Sequence, residues 1–109
     1  MNLLAIGSKI TIRKICEEII DKVEIVNLVD FTNKNYLNWD LSRSNKVKYN
    51  SGNIEKIDTL ITSGLENADI VIVHSNTDIK TLFIAQKSKI DTKKNIFVVL
   101  DDLSLASIY

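Results

Sequence analysis

The segment 68–78, which reads ADIVIVHSNTD, constrains the fold of this chain more than any other. Its apolar part, 70–73, is an unbroken run of β-branched residues, and the polar sequence His74-Ser75-Asn76-Thr77 follows it. A fully apolar run bounded by turn residues indicates a strand buried on both faces, as in the middle of a parallel sheet. The polar residues then lie at the carboxyl end of the strand, where open α/β sheets bind ligands.

Strand and helix patterns alternate along the rest of the chain. Short apolar or alternating runs predict five strands, at residues 3–6, 24–29, 46–49, 69–73 and 95–100. Apolar residues at helical spacing predict three helices, at residues 12–23, 54–68 and 78–88. We expect Ser8 or Thr11 to cap the first helix and Asn53 to cap the second. In the third helix, Ile79, Leu82, Phe83 and Gln86 lie on one side.

Strands that alternate with helices form a parallel sheet with right-handed crossovers. The sequence therefore predicts an α/β three-layer sandwich around a mostly parallel, five-stranded, Rossmann-like sheet of order 3-2-1-4-5. We expect one domain over residues 1–109, with a short closing helix in the mildly apolar tail, 103–109.

The polar segment 31–53 is the least regular part of the chain. It contains apolar and aromatic residues that we expect to fold back onto the core, namely Tyr36, Leu37, Trp39 and Leu41. A surface for a protein partner is the alternative, because Trp and Tyr favour interfaces. Cys16 lies within the apolar stripe of the first helix, which indicates a small core residue and not a reactive thiol.

The composition of the chain argues against several classes of function. Lys plus Arg and Asp plus Glu each number 14, so the net charge is zero, which argues against a nucleic-acid-binding protein. The single cysteine forms no intramolecular disulfide, which predicts an intracellular, cytoplasmic protein. The sequence shows no signal-peptide pattern and no apolar stretch near the roughly 18 to 20 residues of a membrane span, which predicts no membrane insertion.

The candidate ligand-binding residues follow the first, second and fourth strands. Gly7 is the first glycine of a G-x-G-x-x-G pattern whose other two glycines are missing, and Asp30 stands where a ribose-binding acid would stand. The order of the predicted strands reverses between the first and fourth, so the turns after these two strands face each other. The predicted cofactor-binding set is Gly7, Ser8, Lys9, Asp30, Ser75, Asn76 and Thr77.

Other interpretations of these residues remain open. Asn76 and Thr77 are also ordinary helix-capping residues, and Asp78 would repel an anion, so capping is the favoured interpretation of that turn. His74, Asp101 and Asp102 could serve a small-molecule enzyme, and the two aspartates a Mg²⁺ ion. No nucleophile elbow or zinc pattern is present in the sequence, and we assign no catalytic residue and no metal ligand.

Several sequence segments also carry a family resemblance. AIGS follows the first strand, VEIVNLVDF forms the second, KVKYN forms the edge strand, SGN precedes a helix, and LENADIVIV leads into the central strand. In this layout the chain resembles the N-terminal nucleotide-binding domain of the FtsZ/tubulin family. The resemblance implies a degenerate, truncated relative, since that family's two glycine-rich loops are replaced by Gly7-Ser8-Lys9 and by residues 74–78. It implies no GTP hydrolysis and no catalytic residue by transfer.

Three functional hypotheses follow. The first is a non-enzymatic interaction or regulatory module that has lost its phosphate loops, binds no cofactor, and works through a protein partner or through self-association. The second is a small nucleotide-binding module that takes GTP, GDP or NAD between the first and fourth strands. The third is a small-molecule enzyme built on His74, Asp101 and Asp102.

Overall fold

The computed structural model describes residues 1–89 and 94–102. Strands and helices alternate in the order β1 (Asn2–Ile6), α1 (Ile10–Ile19), β2 (Ile25–Asp30), β3 (Val47–Ser51), α2 (Ile57–Thr62), β4 (Ile70–Val73), α3 (Asp78–Ser88) and β5 (Asn95–Val98). The strands form one five-stranded sheet of order β3-β2-β1-β4-β5, and every neighbouring pair is parallel. The predicted fold class and strand order are confirmed.

Successive side chains of β1 point to opposite faces of the sheet, and each face has its own layer of core residues. Leu3 and Ala5 pack on one face of the sheet with Ile12 and Cys16 of α1. Leu4 and Ile6 point to the other face, which is covered by α2 and α3. Side chains of a strand point alternately to opposite faces, so the central strand needs apolar residues at every position. This requirement explains the continuous apolar runs in β1 and β4.

The first helix begins two residues before its predicted start. Lys9 is its N-cap residue, and no side chain makes a capping hydrogen bond there. The prediction of a Ser8 or Thr11 cap was wrong, because the Ser8 hydroxyl donates to the Asp30 carboxylate instead. The helix ends at Ile19 and continues as a 3₁₀ turn, Ile20–Lys22.

The second helix is much shorter than predicted. It ends at Thr62, and Gly64 adopts a left-handed conformation with φ of 109° before a 3₁₀ turn, Leu65–Asn67. The apolar periodicity continues through this break, so the pattern alone gave too long a helix. Asn53 does not cap the helix, since its Oδ1 accepts from the backbone N–H of Glu55, ahead of the first helical turn.

The third helix has the predicted bounds but buries a different face. Its buried residues are Thr81, Ile84, Ala85 and Ser88, whereas Ile79 is 77% exposed and Phe83 is 47% exposed. The side with Ile79 and Phe83 is not the buried one, and Thr81 and Ser88 face the core because their hydroxyls donate to backbone carbonyls four residues earlier. A polar residue that bonds its own helix can face a core at little cost.

The segment between β2 and β3 contains two 3₁₀ helices, Lys34–Tyr36 and Asp40–Arg43. Tyr36 and Trp39 are buried as expected, and the Trp39 Nε1–H donates to Glu17 of α1 at 3.0 Å. Leu37 is 60% exposed, so that part of the prediction was wrong. The short helices take the place of the crossover helix that usually covers this part of a parallel sheet.

The closing helix predicted for residues 103–109 lies outside the described residues. No helix within residues 1–89 and 94–102 is long and apolar enough to cross a membrane.

Candidate functional site

The turn after β1 is built around Gly7. Its φ is +114°, and a Cβ added to it would lie 2.0 Å from the backbone oxygen of His74. A side chain would therefore be strained and would also collide with the backbone that follows β4. Glycine at this position lets the turns after β1 and β4 come into contact at the carboxyl edge of the sheet.

A hydrogen-bonded group of four residues holds this turn. The Ser8 hydroxyl donates to Asp30 Oδ2 at the end of β2, and the Asn35 side-chain amide donates to Ser8 Oγ at 2.9 Å. The Tyr36 hydroxyl donates to the carbonyl oxygen of Gly7 at 2.5 Å. The other Asp30 oxygen accepts from the backbone N–H of Phe31 at 2.7 Å. A carboxylate has about four acceptor positions, so Asp30 keeps capacity for a further donor.

Burial keeps the Tyr36 hydroxyl in its donating form. Loss of solvation, followed by the nearby charge of Asp30, raises the pKa of Tyr36 well above its ordinary value. The phenol therefore stays protonated and bonded to Gly7. Tyr36 and Asn35 were not among the predicted site residues, because the sequence shows only that Tyr36 is aromatic and not that its hydroxyl reaches the first turn.

Two cations lie at the N-terminus of α1. Lys9 is half-buried at the N-cap position, and the Arg13 guanidinium donates through Nε to the carbonyl oxygen of Ser8 at 3.1 Å. The first turn of α1 contains no acidic residue. The positive end of a helix dipole together with two cationic side chains favours an anion here. Arg13 was not predicted as a site residue, since in sequence it is one of several charges on an exposed helix face.

The hydrogen bonds of the turn after β4 are made mainly with residues of that turn and of the first turn of α3. Thr77 caps α3 by accepting the Lys80 backbone N–H at 3.2 Å, as the capping interpretation predicts. The Ser75 backbone N–H donates to Thr81 Oγ1 at 2.8 Å, and the buried Ser75 hydroxyl has no hydrogen-bond partner. Asn76 is exposed. The structure thus brings Gly7 against this turn but links Ser8 to Asp30 and not to residues 75–77.

His74 and Asp101, far apart in sequence, meet at the same edge of the sheet. His74 Nε2 lies 3.1 Å from Asp101 Oδ1, and the imidazole is only 5% exposed. This distance is that of a hydrogen bond between the imidazole and the carboxylate. The other imidazole nitrogen, Nδ1, is buried without a partner. Neither nitrogen is therefore presented to a substrate, and the pair joins β4 to the residues after β5.

Asp78, the first residue of α3, also contacts the residues that follow β5. Its two carboxylate oxygens accept the backbone N–H groups of Asp101 and Asp102 at 2.8 and 2.7 Å. Asp78 therefore places negative charge at the start of α3, on the β4 side of the candidate site. The described residues contain no cluster of three or more His, Cys, Asp or Glu side chains that could hold a metal ion.

A cavity that the sequence did not predict lies between the end of β3 and α2. Its volume is about 540 Å³, and it is lined mostly by polar residues, among them Asn33 and Asp58, together with Gly52. Thr62 and Ser63 also line it, but their hydroxyls donate back to helix carbonyls. This polar cavity lies beside Asp30, because the Gly52 backbone N–H donates to the Asp30 carbonyl oxygen at 2.9 Å.

Comparison with solved structures identifies a protein of similar fold. The chain is similar to a structure described as the Shewanella denitrificans Kef CTD in AMP-bound form, with a TM-score of 0.69 and 16% sequence identity. The match covers 90% of this chain and 57% of the other, so this chain spans little more than half the length of that one. At this identity the likeness shows a shared Rossmann-like fold.

The sequence comparisons give no further assignment. No protein-family model matches the chain, and no curated protein is significantly similar to it. The structural likeness supports a Rossmann-like fold and gives no support to descent from the FtsZ/tubulin family.

Proposed function

We propose that this chain is a non-enzymatic regulatory module that binds an adenine nucleotide, with AMP as its type ligand, at the carboxyl edge of β1 and β2. The observation that carries the proposal is the Gly7 turn, whose left-handed conformation and contact with His74 bring the carboxyl ends of β1 and β4 together beside the start of α1. The AMP-bound state of the structurally similar Kef CTD supports the choice of nucleotide.

The roles of the site residues follow from their chemistry. The phosphate lies at the N-terminus of α1, where Lys9 and Arg13 supply positive charge. Asp30 accepts a ribose hydroxyl with its remaining lone pairs, as acids at the end of the second strand do in dinucleotide-binding folds. The His74 side chain is 5% exposed and its Nδ1 atom is buried, which argues for binding without chemistry at this residue.

The test uses one variant at the proposed site and one matched control. AMP at about 100 times its dissociation constant adds about 2.7 kcal/mol of stability, a rise in melting temperature on the order of 10 °C for a domain near this size. We expect Asp30→Asn to lose most of this shift. Asp58→Asn makes the same chemical change in the polar cavity between β3 and α2, and should retain the shift.

The two variants distinguish the possible sites, because Asp58 lines the cavity between β3 and α2, whereas Asp30 is not among the residues that line it. Loss of the AMP effect in Asp58→Asn alone would move the ligand to the cavity between β3 and α2. A flat response of the unmodified chain to AMP, ADP, ATP, GTP, GDP and NAD, with and without Mg²⁺, would refute nucleotide binding and leave the interaction module.

A protein-interaction role is the second candidate, and exposed apolar residues on α3 favour it. Ile79 and Phe83 lie one helical turn apart and are 77% and 47% exposed, and Lys87 lies 4.5 Å above the Phe83 ring. Adjacent exposed apolar residues often belong to interfaces. If this chain associates with itself through α3, Ile79→Glu with Phe83→Glu will lower the mass measured by light scattering. An unchanged mass would refute that mode of association.

A further inference from the structure

We propose that two copies of this chain associate through the outer edge of β3, where Lys48 of each copy reaches Asp58 in the polar cavity of the other. This association is independent of the proposed nucleotide site. It uses the edge of the sheet formed by β3, whereas α3 packs against β4 and β5 near the opposite edge. Unused backbone groups of β3, the charges of its side chains and the lining of the cavity support this arrangement.

The outer edge of β3 offers backbone groups for a further strand. Hydrogen bonds at its two ends, to the carbonyl oxygen of Lys46 and from the N–H of Gly52, show that the even-numbered residues pair with β2. Backbone groups alternate in direction along a strand, so Val47, Tyr49 and Ser51 point theirs away from β2. Within residues 1–89 and 94–102, only the Val47 N–H among these outward groups has a backbone partner, in the preceding turn. The four residues after Val47 are exposed, so the edge is open to a second chain.

The charges of this edge favour one register for a second copy. Two antiparallel β3 strands related by a twofold axis place outward groups opposite each other when the axis passes through a residue of the strand. An axis at Lys48 sets two like charges directly opposite, which is destabilising, and an axis at Asn50 leaves Val47 unpaired. An axis at Tyr49 pairs Val47 with Ser51 and Lys48 with Asn50 over the whole strand. The unused groups then make four hydrogen bonds between the two copies.

The same register brings Lys48 to the polar cavity of the second copy. Val47 packs in the core layer on the α1 side, so Lys48 and Asn50 point to the opposite face, where α2 lies. Asn50 lines the cavity, and Asp58 is the only charged residue among the described residues that line it. Opposite residues of such a pair have Cα atoms about 4.5 Å apart. Lys48 of one copy therefore lies beside Asn50 of the other, with its flexible stem at the cavity that contains Asp58.

The two charged residues are available for this contact. Both Lys48 and Asp58 are exposed, and neither forms an ion pair within residues 1–89 and 94–102. The neighbouring Lys46 is engaged elsewhere, because its Nζ donates to the carbonyl oxygens of Ile20 and Val23 at 3.0 and 3.1 Å. Lysine on an edge strand discourages unwanted pairing. Lys48 thus opposes the register in which it meets itself and supports the one in which it meets Asp58.

The experiment measures the mass of the full chain by sedimentation equilibrium from micromolar to millimolar concentrations. Lys48→Glu and Asp58→Lys each place like charges together, and the double variant exchanges the two charges and restores the pair. Lys14→Glu is the matched control, since it makes the same charge change on the exposed side of α1. Ser51→Pro removes an outward N–H without touching the charges. Melting curves establish that each variant folds.

We expect the unmodified chain and Lys14→Glu to form a reversible dimer of equal affinity. Each single charge variant should raise the dissociation constant by about tenfold or more, and the double variant should recover most of this loss. Ser51→Pro should also weaken the dimer.

Three results would overturn the inference and leave the proposed function intact. The first is a chain that is monomeric at every concentration. The second is a double variant as weak as the single ones, or single variants that dimerise like the unmodified chain. The third is a dimer lost in Ile79→Glu with Phe83→Glu but retained in Lys48→Glu, which would assign the interface to α3.

Discussion

At the scale of single residues, Gly7 is the position whose replacement the backbone tolerates least. We predict that Gly7→Ala lowers the free energy of unfolding by about 3 kcal/mol or more, because alanine is strained at φ of +114° and its Cβ meets the His74 carbonyl oxygen. Urea unfolding measures the change. Gly52→Ala is the control, since the φ of Gly52 is not positive and an added Cβ would meet only the side chain of Thr59, nearest its methyl carbon at 3.0 Å. A loss in Gly7→Ala no larger than in the control would contradict this account of the turn.

A second prediction at this scale concerns the buried thiol. Burial, with a smaller effect from the charge of Glu17, raises the pKa of Cys16 from 9.0 to about 12. Between these pH values the unfolded chain loses the thiol proton and the folded chain keeps it, so the free energy of unfolding falls as pH rises above about 9. The slope reaches at most about 1.4 kcal/mol per pH unit for this group.

The Cys16→Ala variant isolates this contribution. Tyr36 acts with the same sign but only above its ordinary pKa of 10.0, because its folded pKa is also raised. We therefore expect the variant to lose the pH dependence between about 9 and 10, as measured by urea unfolding over a pH series. An unchanged slope in that interval would show that the thiol is not the cause.

At the scale of elements, Gly64 decides where α2 ends. In a continuous helix over 54–68, Gly64→Ala would stabilise the protein by about 0.5 to 1 kcal/mol. In the observed structure Gly64 has φ of 109° and its added Cβ would lie 2.7 Å from Asn27 Nδ2. We predict instead a destabilisation of about 1 to 2 kcal/mol, measured by urea unfolding. A gain in stability would support the longer helix.

The elements also show what the sequence could and could not predict. The bounds of α3 followed from Thr77 and the residues around it, but its buried face did not, because Thr81 and Ser88 are polar and satisfy their hydroxyls within the helix. The sequence did not show the break after α2, because the periodic spacing of apolar residues carries no information on the φ angle of Gly64. The predicted Ser8 cap failed because the Ser8 hydroxyl donates to Asp30, 22 residues away, and a local sequence pattern does not show such a contact.

At the scale of the whole molecule, the strand order was predictable and the contents of the site were only partly so. Continuous apolar runs in β1 and β4 indicate a sheet covered on both faces, and right-handed parallel crossovers are consistent with the observed order. Gly7, Ser8 and Asp30 were expected to share one edge, and they do. Tyr36, Arg13 and the His74–Asp101 pair depend on contacts between distant segments, which no local pattern specifies.

The measurement that tests the central claim most directly is the mapping of AMP onto the chain by amide chemical shifts in two-dimensional NMR. We predict that the largest shifts fall on residues 7–10, 30–31 and 74–75, where the turns after β1, β2 and β4 meet. Lys9→Glu should abolish them, whereas Lys14→Glu should leave them unchanged. Shifts confined to residues 50–52 and 58–63, around the polar cavity between β3 and α2, or no saturable shifts at all, would contradict the account.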